Sequence, residues 1–253
     1  MHTSETTNAD WLRQLFLVIA ALFQIFGGAA SFALGLGTDI GTRSNALDTP
    51  IVPSGWAFSI WWLIFLVSII FAISSLLPKN ARNAVVRRVS YPLGFAFTMN
   101  GFWEIYVSLF NIDWISLAII AFGTLFALIA LFRAGNPAEL SLFERYIVRP
   151  PIALLAGWLT AATFVGTSSV MLLAGIEPTM IILLSLLGGA TLLGALMTGL
   201  TGGWLYVAPL LWALAAIINK NMNGGDNIIL FAASGAIAVL LLARLFASRY
   251  RAF

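Results

Sequence analysis

Eight stretches of this chain read as long and apolar enough to cross a bilayer, and they decide what it can fold into. They are residues 11–34, 56–77, 91–110, 114–132, 151–174, 180–200, 204–218 and 228–246. A helix needs about 20 such residues to cross roughly 30 Å of hydrocarbon. In lipid every backbone polar group must be paired within the segment, which leaves helices as the solution here. Charged residues make up 9% of the chain and hydrophobic ones 60%, whereas soluble domains carry about 25% charge. The expected fold class is an all-α integral membrane protein with eight transmembrane helices. The division between spans six and seven rests on "GLTGGW", because an unbroken helix over 181–218 would run about 57 Å and clustered glycines permit a tight turn.

Charge placement agrees with that count. Eight spans put both termini on one side, together with Arg13, Lys79, Arg82, Arg87, Arg88, Arg133, Arg145, Arg149, Arg244, Arg249 and Arg251. The other side keeps only Arg43 and Lys220. This bias orients both termini to the cytoplasm, and the expected location is the bacterial inner membrane. Residues 1–10 form a polar tail without the basic start of a secretory signal. A net charge of +3 and a pI near 9.6 could suit nucleic acid, but basic residues at helix ends suit anionic headgroups instead.

The chemistry available is narrow. There is no cysteine, and the one histidine is His2. Thiolate, disulfide and iron–sulfur chemistry are excluded, and no intramembrane imidazole exists to ligate haem or shuttle protons. No nucleophile–base pair can be assembled, so the chain is not expected to be an enzyme. No covalently bound cofactor is expected.

What stands out is tryptophan, with nine residues. Trp11, Trp114 and Trp204 sit at span ends and read as an interfacial belt. "GWAFSIWW" is different. Phe58 shares a helix face with Trp61 and Trp62, and Trp56 opens the same segment, giving surfaces for either packing or a flat ligand. "NGFWEIY" places Asn100, Trp103 and Glu104 in span three, and an intramembrane acid is expensive. Glu104 either faces a cavity with Asn100 or bonds a neighbouring helix such as span five or eight; the first is expected. Span five carries Trp158, Ala162 and Gly166 at steps of four, with Thr163 beside them. Span six carries Ala190, Gly194, Thr198 and Gly202 at the same step, a face for packing or dimerisation. The longest outer segment, residues 36–55, is rich in Gly and Pro and is expected to be a loop without regular structure, of a length suited to a lid.

Three of these motifs occur in the order seen in the tryptophan-rich sensory protein (TspO/MBR, translocator protein) family, which the chain resembles. "PSGWAFSIWW" is similar to that family's second-helix opening through Pro53, Trp56, Phe58 and Trp62. "NGFW" matches its N-x-x-W through Asn100 and Trp103. "WLTAAT" matches its W-x-x-x-A-T through Trp158, Ala162 and Thr163. The chain departs from the family at Gly166, usually Asn, and at Glu104–Ile105, often Ser-Pro. The resemblance implies a five-helix bundle over 11–174, capped by loop 36–55, with residues 175–253 a three-helix C-terminal extension. It also implies a ligand site with Trp56, Phe58, Trp61, Trp62, Asn100, Trp103, Glu104, Trp158, Ala162 and Thr163 in or beside its wall. The implied function is non-catalytic binding or sensing of a flat lipophile such as a tetrapyrrole or another pigment or lipid, with homodimer formation. Two other readings stay open: an accessory subunit of a larger, pigment-bearing membrane complex, and a transporter of a lipophilic metabolite.

Overall fold

The computed structural model describes residues 7–222 and 224–249. Of the expected polar tail at residues 1–10, residues 1–6, with His2, lie outside the described residues, as does Arg251, while Asn8–Asp10 already belong to the first helix. Ten α-helices follow one another: α1 (Asn8–Leu34), α2 (Ile40–Ala46), α3 (Ile60–Ser75), α4 (Pro78–Ala81), α5 (Ala84–Leu109), α6 (Trp114–Ala134), α7 (Arg149–Leu173), α8 (Met180–Thr201), α9 (Trp204–Met222) and α10 (Asn227–Arg249). A 3-10 turn, Gly55–Ser59, leads into α3, and a π turn, Glu144–Val148, leads into α7. No strand occurs among the described residues.

Among the described residues, seven helical segments are both long and apolar enough to span a membrane. The eighth long helix, α5, has the length, at 26 residues, but not the composition. It carries Arg87 and Arg88 at its start and Asn100 and Glu104 within, and it hides these last two by packing against α1 and α6. A helix enclosed by other helices need not be as apolar as one that meets lipid.

The helix ends follow local chemistry. The Thr7 hydroxyl accepts the Asp10 N–H at 3.2 Å while the Asp10 carboxylate takes the Thr7 N–H at 3.2 Å, a capping box that starts α1 before Trp11. Asn83, Asp113 and Thr179 cap α5, α6 and α8 through their side-chain oxygens. Gly202, at φ 56°, ends α8 in the left-handed region, so the "GLTGGW" break is real. The loop at 36–55, by contrast, is not devoid of regular structure. Asp39 caps Thr42 N–H at 3.0 Å and nucleates α2 in the middle of it. The glycines and prolines that argued for a loop lie mostly outside those seven residues.

Asp10 is 1% exposed. It accepts from Arg13 at 2.7 Å and from Arg87 at 2.6 and 2.9 Å, and Arg13 also donates to Ala81 O at 2.8 Å. This network binds the starts of α1 and α5 to α4. Asn83 reaches Glu144 at 2.8 Å, Arg149 reaches Thr201 O at 2.9 Å, and Arg244 lies over Trp204. Helix starts and helix ends therefore alternate at one arginine-rich end of the bundle, as antiparallel spans require.

α7 is the hub. It touches α3, α6, α8 and α9, and it is the most enclosed of the seven apolar spans, while α10 is the least. A Cβ added to Gly157 would stand 2.3 Å from Tyr206 O, so α7 and α9 approach to backbone contact. The Thr160 and Tyr206 hydroxyls meet there at 3.2 Å. One core runs from Leu17 to Leu240 without a seam at residue 174. The small-residue face of α8 is spent inside the chain, since a Cβ on Gly194 would stand 2.9 Å from both Leu210 and Leu240.

Candidate functional site

Phe58, Trp61 and Phe65, three and four residues apart at the start of the α3 span, form one face, and Trp158 of α7 packs against it. Phe58 and Trp61 each stand edge-on to Trp158 with ring centroids 6.0 Å apart, a favoured arrangement for aromatic pairs. Trp61 stacks on Phe65 at 5.5 Å. This aromatic partition separates two cavities, and Phe58 lines both.

The cavity on the α7 side is lined by Pro53, Phe58, Trp103, Trp158, Ala162 and Gly166, among others, and its volume is about 50 Å³. Ligand pockets usually span roughly 300–1,000 Å³, so this one admits no organic ligand without movement. A Cβ placed on Gly166 would meet nothing within 4 Å, so the missing side chain is part of the void.

The cavity on the α1 side is larger, about 320 Å³. Its walls are Ile25, Gly28 and Ala29 of α1, residues 39–41 at the start of α2, Phe58, Trp61, Trp62 and Phe65, and Glu104 of α5. Glu104 is fully buried. Its Oε1 accepts from Asn100 Nδ2 at 3.2 Å, and that amide also reaches Gln24 Oε1 at 3.4 Å. Among the described residues Glu104 Oε2 has no partner, nor does the buried Nε1 of Trp61. A Cβ on Gly28 would stand 2.6 Å from Phe65 Cζ and 2.8 Å from Oε2, so glycine there makes room for both side chains. The result is an apolar, aromatic cleft with one free carboxylate oxygen and one free indole N–H. A carboxyl oxygen accepts a hydrogen bond when ionised and can donate one when protonated.

The remaining candidates are placed as follows. Trp103 and Trp158 are buried at 7% and 3% exposure and, with Ala162, line the small cavity. Trp62 is 72% exposed, at the rim of the large one. Asn100 lines neither and positions Glu104. Trp56 and Thr163 also line neither. Trp56 turns to α9, donating to Asn219 Oδ1 at 3.2 Å and packing edge-on to Trp212 at 4.7 Å. Thr163 meets the Thr124 hydroxyl of α6 at 2.7 Å, which makes it a helix–helix tie.

Gln24, Gly28 and Phe65 belong to the large cavity or its polar base but were not read from the sequence. Gln24 had a signal, being an amide inside an apolar span.

Over both cavities lies the segment 36–55, held at three points. Thr38 N–H and Arg43 Nη2 both donate to Ser108 O at 2.9 Å. The Thr49 and Ser168 hydroxyls meet at 2.8 Å. Lys220 of α9 pairs with Asp48 and donates to Thr49 O at 2.8 Å and Val52 O at 3.2 Å, and Asn221 donates to Pro50 O at 2.9 Å. The C-terminal helices therefore fasten the cap. Lys220 and Asn221, in "NKN" after an apolar run, gave no local sign of this.

Comparison with curated proteins and with solved structures found no match. The pattern that defines the TSPO-like protein family matches residues 14–246, from the first turns of α1 to the last of α10, so α8–α10 fall within the family's own extent. With its apolar spans and this match over nearly its whole length, the chain is an integral membrane protein that belongs to the TSPO-like protein family.

Proposed function

We propose that this protein is a non-catalytic binding protein or sensor for a flat lipophile carrying one hydrogen-bonding group, a tetrapyrrole being the leading candidate, and that the ligand occupies the Glu104 cleft. The observation that carries this reading is the free Oε2 of a fully buried Glu104 on an aromatic cavity of about 320 Å³. Buried polar atoms are ordinarily paired, and an unpaired one on a cavity suits a ligand group. Stacked indole and phenyl walls suit a planar molecule. The cavity lies at the lower end of ligand-pocket sizes, so a full tetrapyrrole requires the cap at 36–55 to shift. Membership of a family of membrane ligand-binding proteins supports the same class. The orientation with the arginine-rich end in the cytoplasm follows from charge bias.

The test is titration of protoporphyrin IX into the purified protein, followed by tryptophan fluorescence. Saturable quenching is expected in the wild type, and loss of that quenching in Phe58→Ala. Absence of saturable quenching in the wild type would refute the tetrapyrrole assignment; equal quenching in Phe58→Ala would refute the site.

A further inference from the structure

We propose a second binding site at the opposite, arginine-rich end of the bundle, one that takes the phosphate of an anionic phospholipid headgroup. A cavity of about 340 Å³ opens there between the start of α7, the α8–α9 break and the end of α10. Arg145, Arg149 and Arg244 all line it, with Tyr146 and Trp204, and no acid among the described residues does.

Arg149 is fixed by backbone carbonyls, and Arg145 and Arg244 are held by groups that do not cancel their charge. Arg149, 1% exposed, donates to Gly135 O and to Thr201 O, the latter at 2.9 Å. Gly203 makes room for it, since a Cβ there would stand 3.0 Å from Arg149 Nη2. Arg145 donates to Pro137 O at 2.9 Å and Ala138 O at 3.4 Å. Arg244 lies over the Trp204 ring at 5.1 Å, and its buried Nε has no hydrogen-bond partner among the described residues. Neither Arg145 nor Arg244 is in an ion pair among the described residues. Glu144, the acid next to Arg145, spends its carboxylate on Asn83 and Ser141. Carbonyl dipoles and an aromatic face orient guanidinium groups while leaving their charge for an anion, and arginine forks match phosphate oxygens.

The surroundings select a lipid over a free anion. Trp204 and Tyr146 are 49% and 65% exposed at helix ends, where such rings mark headgroup depth. Leu245, next to Arg244 on α10, is exposed, and α10 is the least enclosed of the apolar spans, so it offers a track for acyl chains. A phospholipid can place its phosphate among the arginines with its chains along this track, whereas a free anion would make no use of the track.

The experiment measures binding of short-chain phosphatidylglycerol, short-chain phosphatidylcholine and inorganic phosphate to the purified full chain in neutral detergent. The wild type is expected to bind phosphatidylglycerol at least about tenfold more tightly than the other two. Arg145→Gln/Arg244→Gln is expected to lose that preference. Arg133→Gln, which removes a charge at the same end from an exposed residue outside the cavity, is expected to keep it. Equal loss in both variants would reduce the effect to net charge and overturn the site. Inorganic phosphate binding as tightly as phosphatidylglycerol would overturn the lipid assignment. Native mass spectrometry of the wild type adds a readout independent of the variants: a retained anionic lipid supports the proposal, and no retained lipid together with no phosphatidylglycerol binding ends it.

Discussion

Asn100 donates to one oxygen of Glu104, at 3.2 Å, and leaves the other oxygen with no protein partner. The pair lies one helical turn apart on α5, so the amide fixes the carboxyl in the cavity wall. Glu104→Gln keeps the shape and removes the acid. It should weaken binding of a ligand N–H donor by about tenfold, since the amide oxygen takes the Asn100 N–H and an NH2 replaces the acceptor at Oε2. The thermal midpoint should hold, because the isostere keeps the bond from Asn100. Unchanged affinity in a ligand titration would remove Glu104 from the site.

Lys220 fastens the cap in two ways that can be separated. Its ion pair with Asp48 is exposed on the acid's side, 52%, and such pairs contribute little. Its bonds to Thr49 O and Val52 O are more sheltered. Asp48→Asn should therefore leave hydrogen exchange of residues 38–54 nearly unchanged. Lys220→Met should speed that exchange markedly and lower stability by about 1–2 kcal/mol in denaturant titration. The reverse ranking would mean that the ion pair holds the cap.

Acid should loosen the same segment at its other end. Hydrogen bonds from the Thr42 hydroxyl and N–H hold the Asp39 carboxyl below its ordinary value, which is near 3.9. A carboxyl whose folded value is lowered stabilises the fold above the unfolded value, and that contribution is lost as pH falls through the folded one. Exchange protection of α2 should hold from neutral pH down to about 4 and then fall. Asp39→Asn, which still caps, should flatten that dependence.

The spans and their breaks were legible because bilayer length and glycine chemistry are local properties, as the α8–α9 break shows. The motif residues identified the right helices but not their neighbours. Trp56 and Thr163 sit on the expected elements, yet Trp56 serves α9 and Thr163 serves α6. Helix periodicity gives a face, and only tertiary packing says what covers it. α2 escaped notice because the glycines and prolines around it outweighed one capping signal, Asp39 three residues before Thr42. The cap's fastening could not be read at all, since Lys220 and the carbonyls it bonds are joined only by the fold.

Gly37 shows where the cap cannot change. It lies at φ 76°, and a Cβ there would stand 2.1 Å from Ser108 O, the oxygen that anchors Thr38 and Arg43. Left-handed backbone alone costs an L-residue about 1–2 kcal/mol, and here the clash is with backbone that cannot rotate away. Gly37→Ala should destabilise by at least about 2 kcal/mol and expose residues 36–55 to limited proteolysis. Gly35→Ala shares the positive φ without the clash, with nothing within 4 Å of its Cβ, and should cost only the conformational part.

Gly166 offers the opposite case on α7. Its Cβ would meet nothing within 4 Å, and it sits inside a long helix at an ordinary helical conformation. Alanine there should stabilise by up to about 1 kcal/mol through helix propensity. The same methyl occupies part of a cavity of only about 50 Å³. If that cavity opens to admit ligand, Gly166→Ala should raise the thermal midpoint while weakening ligand binding, a split that general destabilisation cannot produce. If ligand uses only the Glu104 cleft, which Gly166 does not line, the variant should be more stable with affinity unchanged. Measuring both quantities on the one variant decides which side of Phe58 the ligand occupies.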